Sequence, residues 1–134
     1  MVISEFLRTL YLGDRACKAI TLDGWGPAVR VQIDCVSRVR DPSGNWNFYV
    51  DEDINDAVLV FADVLSVELR GGGHMPNDSI NSLEVVEVDG DVTTIEMSVD
   101  SVDAEAVHHD TVVRLRCKKV WLEDPTRPGV RIET

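Results

Sequence analysis

At 134 residues with a formal net charge of −11, the chain is long enough to bury a core without disulfides or metal, and too acidic to favour nucleic-acid phosphates or anionic lipid. Apolar residues make up 44% and charged residues 28%, the balance of a folded domain rather than a disordered chain. No apolar run approaches the roughly 20 residues that span a bilayer, and Glu5 and Arg8 interrupt the stretch where a signal peptide needs an apolar core, so the expectation is a cytoplasmic protein.

In chain order, Ser4 is read as the cap of a short helix in which Phe6, Leu7, Leu10 and Tyr11 share a face and Gly13 supplies a left-handed stop. The period then becomes two. "VRVQIDCVSRV" sets Val29, Val31, Ile33, Cys35 and Val39 on one side and Arg30, Gln32, Asp34 and Arg38 on the other, a half-buried strand. "AVLVFADVLSVELR" is apolar on both faces up to Asp63, as in a central strand that continues to an exposed end or bends at a bulge. "LEVVEV" and "VTTIEMSV" flank Asp89-Gly90, a pair suited to a tight hairpin turn. In "TVVRLRCKKVWLE" the inward set Val113, Leu115 and Cys117 gives way to Val120 and Leu122, which predicts a bulge at Lys118-Lys119. The sum is a mainly β chain, an antiparallel β-sandwich or barrel of about six to seven strands with one short N-terminal helix. Residues 1–134 read as a single domain with a loosely attached tail at 124–134. Cys17, Cys35 and Cys117 are odd in number and irregularly spaced, as buried thiols of a reducing compartment would be.

The acids are concentrated. Residues 41–110 hold seventeen Asp or Glu against the single cation Arg70, whereas both ends are mildly basic. Within that segment "WNFYVDEDIND" sets Asp51, Glu52, Asp53 and Asp56 after Trp46 and Tyr49. Asp51, Asp53 and Asn55 match the opening of a calcium loop, but Asp56 stands where the turn needs glycine and Ala62 where the loop needs glutamate, so no metal is expected there. His108 and His109 are strand neighbours that point to opposite faces, His74 stands alone, and no nucleophile is paired with a base; catalytic residues and cofactors are therefore not assigned. Gly71-Gly72-Gly73 lacks the helix and lysine of a phosphate cradle. Arg114, Arg116 and Lys118 line one strand face and are expected to pair with the chain's own carboxylates across a sheet.

The Leu12-Gly13-Asp14-Arg15 turn, "SRVRDPSG" with its Ser37-Arg38 pair, and the Pro76-Asn77-Asp78 turn resemble a family of small bacterial proteins of unknown function, over most of the chain. That resemblance implies no activity. In size, acidity and strand order the chain is also similar in type to the immunity proteins of bacterial polymorphic toxins, which plug a toxin's active site. The functional expectation is a non-enzymatic, immunity-type protein whose acidic surface, Asp51, Glu52, Asp53 and Asp56 with Trp46 and Tyr49 as aromatic anchors, meets a basic toxin domain such as a nuclease. The alternative is a small β-barrel that holds a small molecule as carrier or sensor. The oligomeric state is left open by the sequence.

Overall fold

The structure, a computed structural model, describes residues 2–39 and 52–134. The chain opens with α1 (Ile3–Arg8), whose Phe6 and Leu7 are buried. The helix is shorter than the periodicity predicts and its cap is Val2, not Ser4. Thr9 ends it by donating its hydroxyl and its amide to the Phe6 carbonyl. Leu10 and Tyr11 then enter a strand, β1 (Leu10–Tyr11), and the left-handed residue in the following turn is Asp14 at φ 56 rather than Gly13.

Antiparallel strands account for most of the rest. β2 (Cys17–Asp23), β3 (Ala28–Ile33), β6 (Val58–Ala62), β11 (Lys119–Glu123) and β12 (Arg131–Ile132) form a five-stranded sheet in the order β12-β11-β6-β3-β2. β7 (Ser66–Arg70), β8 (Ile80–Asp89), β9 (Val92–Val102) and β10 (His108–Cys117) form a four-stranded sheet in the order β7-β10-β9-β8. β4 (Cys35–Arg38) and β5 (Asp53–Asn55) complete a small sheet with β1. The described residues thus make twelve strands in three open sheets, not the six to seven strands expected, and no closed barrel. The count rises because long alternating runs change sheet partway. The run through Val29 and Arg38 breaks at Asp34 into β3 and β4, so Val36, Ser37 and Arg38 are buried and the expected outward position of Arg38 is wrong.

Two other runs turn a corner side by side. Asp63, at φ 51, carries the chain from β6 into β7, and Lys118 carries it from β10 into β11, while β6 pairs with β11 and β7 with β10. This is how sandwich corners are made when strands switch sheets. The phase change at Lys118-Lys119 is therefore a change of sheet and not the bulge that the sequence predicts. The hairpin of β8 and β9 closes through Gly90, at φ 62, and Asp91, as Asp89-Gly90 implies.

One apolar core joins the inner faces of the two larger sheets, with Val31, Ile33, Leu59, Phe61 and Leu122 from one and Ile95, Met97, Val99, Val113 and Leu115 from the other. Val60, Ala62 and Trp121 form a second cluster on the reverse face of the five-stranded sheet, which is why β6 is apolar on both sides. The segment 124–134 turns back so that β12 pairs with Leu122 and Glu123, and the Arg131 guanidinium lies 3.9 Å from the Trp121 ring centroid. No helix among the described residues is long and apolar enough to cross a membrane.

Burial also governs the thiols. It pushes Cys17 up to about 11 and Cys117 up to about 12, so both stay neutral at physiological pH. Mass spectrometry after brief iodoacetamide treatment of the native protein is expected to show both unmodified; rapid alkylation of either would contradict its burial.

Candidate functional site

Of the six residues singled out as a partner surface, Trp46, Tyr49 and Asp51 lie outside the described residues. Glu52, half-buried, precedes β5, and its backbone carbonyl accepts the Arg38 amide at 3.2 Å. Asp53 opens β5 opposite Ser37 of β4 and accepts that hydroxyl at 2.6 Å. Ser37, fully buried, in turn accepts a hydrogen bond from Arg15 Nη2 at 2.7 Å. Asp56 sits at φ 55 between β5 and β6, and its carboxylate meets Lys18 Nζ at 2.6 Å. Asp53 and Asp56 therefore each have a cationic or hydrogen-bonded neighbour within the chain. Lys18 offsets the charge of Asp56, whereas Ser37 gives Asp53 a neutral donor, and the half-exposed Lys18 pair contributes little to stability.

The three stretches that carry the family resemblance meet here. Arg15 and Cys17 flank Ala16, which bridges Ser79; Ile80 donates to the Arg15 carbonyl and Cys17 to the Asp78 carbonyl, each at 2.9 Å. Asn77 uses both ends of its amide on Val102, accepting from its N–H at 2.8 Å and donating to its carbonyl at 3.0 Å. The Leu12–Arg15 turn is thereby tied to the Pro76–Asp78 turn by backbone and to the Ser37-Arg38 pair by side chains. Arg38, 5% exposed, donates to Thr9 Oγ1 and to the Thr134 carbonyl at 2.9 Å, with its guanidinium 5.6 Å from the Phe6 ring centroid. These polar residues knit the small sheet and α1 to the two larger sheets.

A second cluster forms where β9 and β10 meet the loop before β8. His108 and His109 do point to opposite faces. His109 stacks on His74 with ring centroids 3.6 Å apart and places Nε2 2.9 Å from Asp103 Oδ2. His108 faces Asp100, with Nδ1 3.8 Å from Oδ2, and Asp78 joins them, the three donor atoms lying within 4.8 Å of one another. Asn81 Nδ2 donates to Asp100 Oδ1 at 2.7 Å, and Asp110 stands directly opposite Asp100 in the β9–β10 register. Asp78, Asp100 and His108 are the described side chains that could hold a metal ion, one oxygen or nitrogen donor from each of three segments. Sequence spacing conceals the group, because only strand pairing brings Asp78 to His108.

Asp103 organises the β9–β10 loop. Its side-chain hydrogen bond to His109, and then the Val107 and Glu105 amides, hold its carboxyl below the ordinary aspartate range. A lowered folded-state pKa contributes stability that is complete above the unfolded value and lost as pH falls through the folded one. Asp103→Asn is accordingly expected to flatten the acid limb of stability against pH, measured by urea unfolding; an unchanged acid limb would contradict the assignment.

The four-stranded sheet and its loops carry most of the net charge. Residues 66–117 contain eleven Asp or Glu and three Arg, a local net of 3 − 11 = −8 out of −11. Arg114 pairs with Glu96 across β9 and β10 at 2.6 Å and Lys118 with Asp91 at 3.5 Å, which meets the expectation for two of the three cations of the basic stripe. Glu84, Glu87 and Asp89, along β8, are exposed.

A family model described as a family of unknown function, DUF6258, matches residues 1–134, and the chain belongs to that family. No curated protein and no solved structure matches it.

Proposed function

We propose that this member of the family is a non-enzymatic binding protein of the immunity type, which neutralises a basic toxin domain through an acidic surface. The observation that carries the reading is the concentration of charge on one sheet: β7 to β10 and their loops hold −8 of the net −11, with Glu84, Glu87 and Asp89 in a row on an exposed strand. A toxin cleft that normally holds phosphate presents the complementary field, and complementarity of this kind speeds association and selects partners. The acids Asp51, Glu52, Asp53 and Asp56 remain a proposed second contact, with Trp46 and Tyr49 as anchors. The ion pair of Asp56 with Lys18 and the Ser37 hydrogen bond of Asp53 favour the sheet as the main source of attraction.

The reading of a ligand-carrying barrel required closure, and the described strands form three open sheets around a core of Val, Ile, Leu, Phe and Met. The test is to identify the genes beside that of this chain and, with a basic toxin domain encoded there, to titrate the purified chain against it, with inhibition of the toxin as the second readout. Saturable binding with loss of toxin activity supports the proposal. Unaltered toxin activity at saturating concentrations of the chain overturns it.

A further inference from the structure

The edges of the described sheets are not alike. β8 meets β9 with two shifts of register and carries Glu84, Glu87 and Asp89; β2 has a shift between Cys17 and Ala19. β1 and β12 are two residues long and β5 is three. Bulges, charges and brevity keep a strand edge from pairing with another chain. β7 has little of this protection. Its five residues run in unbroken register against β10 and all are exposed, with Leu69 at 53%, Val67 at 38% and the preceding Leu65 at 53%. An apolar cleft lined by Leu22, Pro27, Val29, Val64, Leu65 and Val67 extends that patch toward the β2–β3 turn, where Trp25 is fully exposed.

The charge on β7 says what fits it. On a chain of net −11, this strand carries only Glu68 and Arg70, a balanced pair whose side chains already meet at 2.9 Å on its outer face. We propose that a second copy of this chain pairs with the edge of β7 that no described strand covers, antiparallel about a twofold axis at Leu69, so that two four-stranded sheets become one continuous sheet. That axis sets Leu69 against its own copy and places each Glu68 opposite the other copy's Arg70, giving a row of alternating sign. An isologous contact demands such self-complementarity, and opposite charges facing one another across strands stabilise the pairing. The proposal does not rest on the toxin-binding reading.

Sedimentation velocity from about 1 to 100 micromolar tests it on the intact chain. The wild type is expected to shift from monomer to dimer across that range. Leu69→Lys, at an exposed position, is expected to stay monomeric with an unaltered circular dichroism spectrum and melting temperature. Glu68→Arg and Arg70→Glu should each weaken the dimer about tenfold, and the two together should restore it. A wild type that is monomeric throughout, a dimer that survives Leu69→Lys, or a double reversal that fails to rescue overturns the proposal. Binding of an unrelated extended peptide at β7 by a monomeric wild type would also overturn it.

Discussion

Phe61→Ala is expected to lower the free energy of unfolding by about 3–5 kcal/mol, measured by urea denaturation. Phe61 is fully buried on β6, the central strand of the five-stranded sheet, with Val29 of β3 on one side and Val120 of β11 on the other. Its ring points into the core shared with the four-stranded sheet, two residues before the turn at Asp63. Hydrogen-bonded neighbours on both sides prevent the sheet from collapsing into the space left by the ring, so the cavity term adds to the lost transfer energy. Leu22→Ala, on the exposed hairpin of β2 and β3, should by comparison stay within about 0.5 kcal/mol of the wild type. A loss below about 1 kcal/mol for Phe61→Ala would show that the two sheets do not share a core through β6.

Glu84→Gln, Glu87→Gln and Asp89→Asn combined are expected to slow association with the basic toxin domain proposed as partner about tenfold at low salt, while the dissociation rate and melting temperature change little. The three side chains are exposed on an edge strand among carboxylates of like sign, so removing them relieves repulsion and leaves the core untouched. Glu52→Gln with Asp53→Asn gives the contrasting case. Asp53 ends the chain of hydrogen bonds from Arg15 through the buried Ser37, so that variant should alter stability as well as binding. Stopped-flow association and thermal melts separate the two. Equal association rates for the sheet variant and the wild type would remove this face from the interface.

What the sequence discloses follows from how locally each feature is encoded. The corner at Lys118 is legible because Cys117 and Val120 are both apolar and cannot share a phase, and the hairpin turn because Gly90 sits between two alternating runs. The breaks at Asp34 and Asp56 leave no such mark. Asp56 takes φ 55 without being glycine, and the alternation from Val29 to Cys35 reads straight across Asp34, although the chain leaves one sheet for another there. Leu10 and Tyr11 fit a helical face as well as a strand, and what decides between them is the Thr9 carbonyl accepting the Val39 amide at 2.6 Å, a contact from a distant segment. The same holds for the sites. Asp53 looks like a free acid until Ser37 is placed beside it, and Asp78, Asp100 and His108 become neighbours only through the pairing of β8, β9 and β10.

The most direct test of the acidic-surface account is the association rate of the wild-type chain with the toxin domain proposed as its partner, as a function of ionic strength. Screening lengths fall from about 30 Å at 0.01 M to about 10 Å at 0.1 M, so attraction from a sheet that with its loops bears most of the net charge should fade across that interval. The account predicts an association rate that drops at least about tenfold between those two concentrations, with little change in the dissociation rate. A rate independent of salt would contradict it.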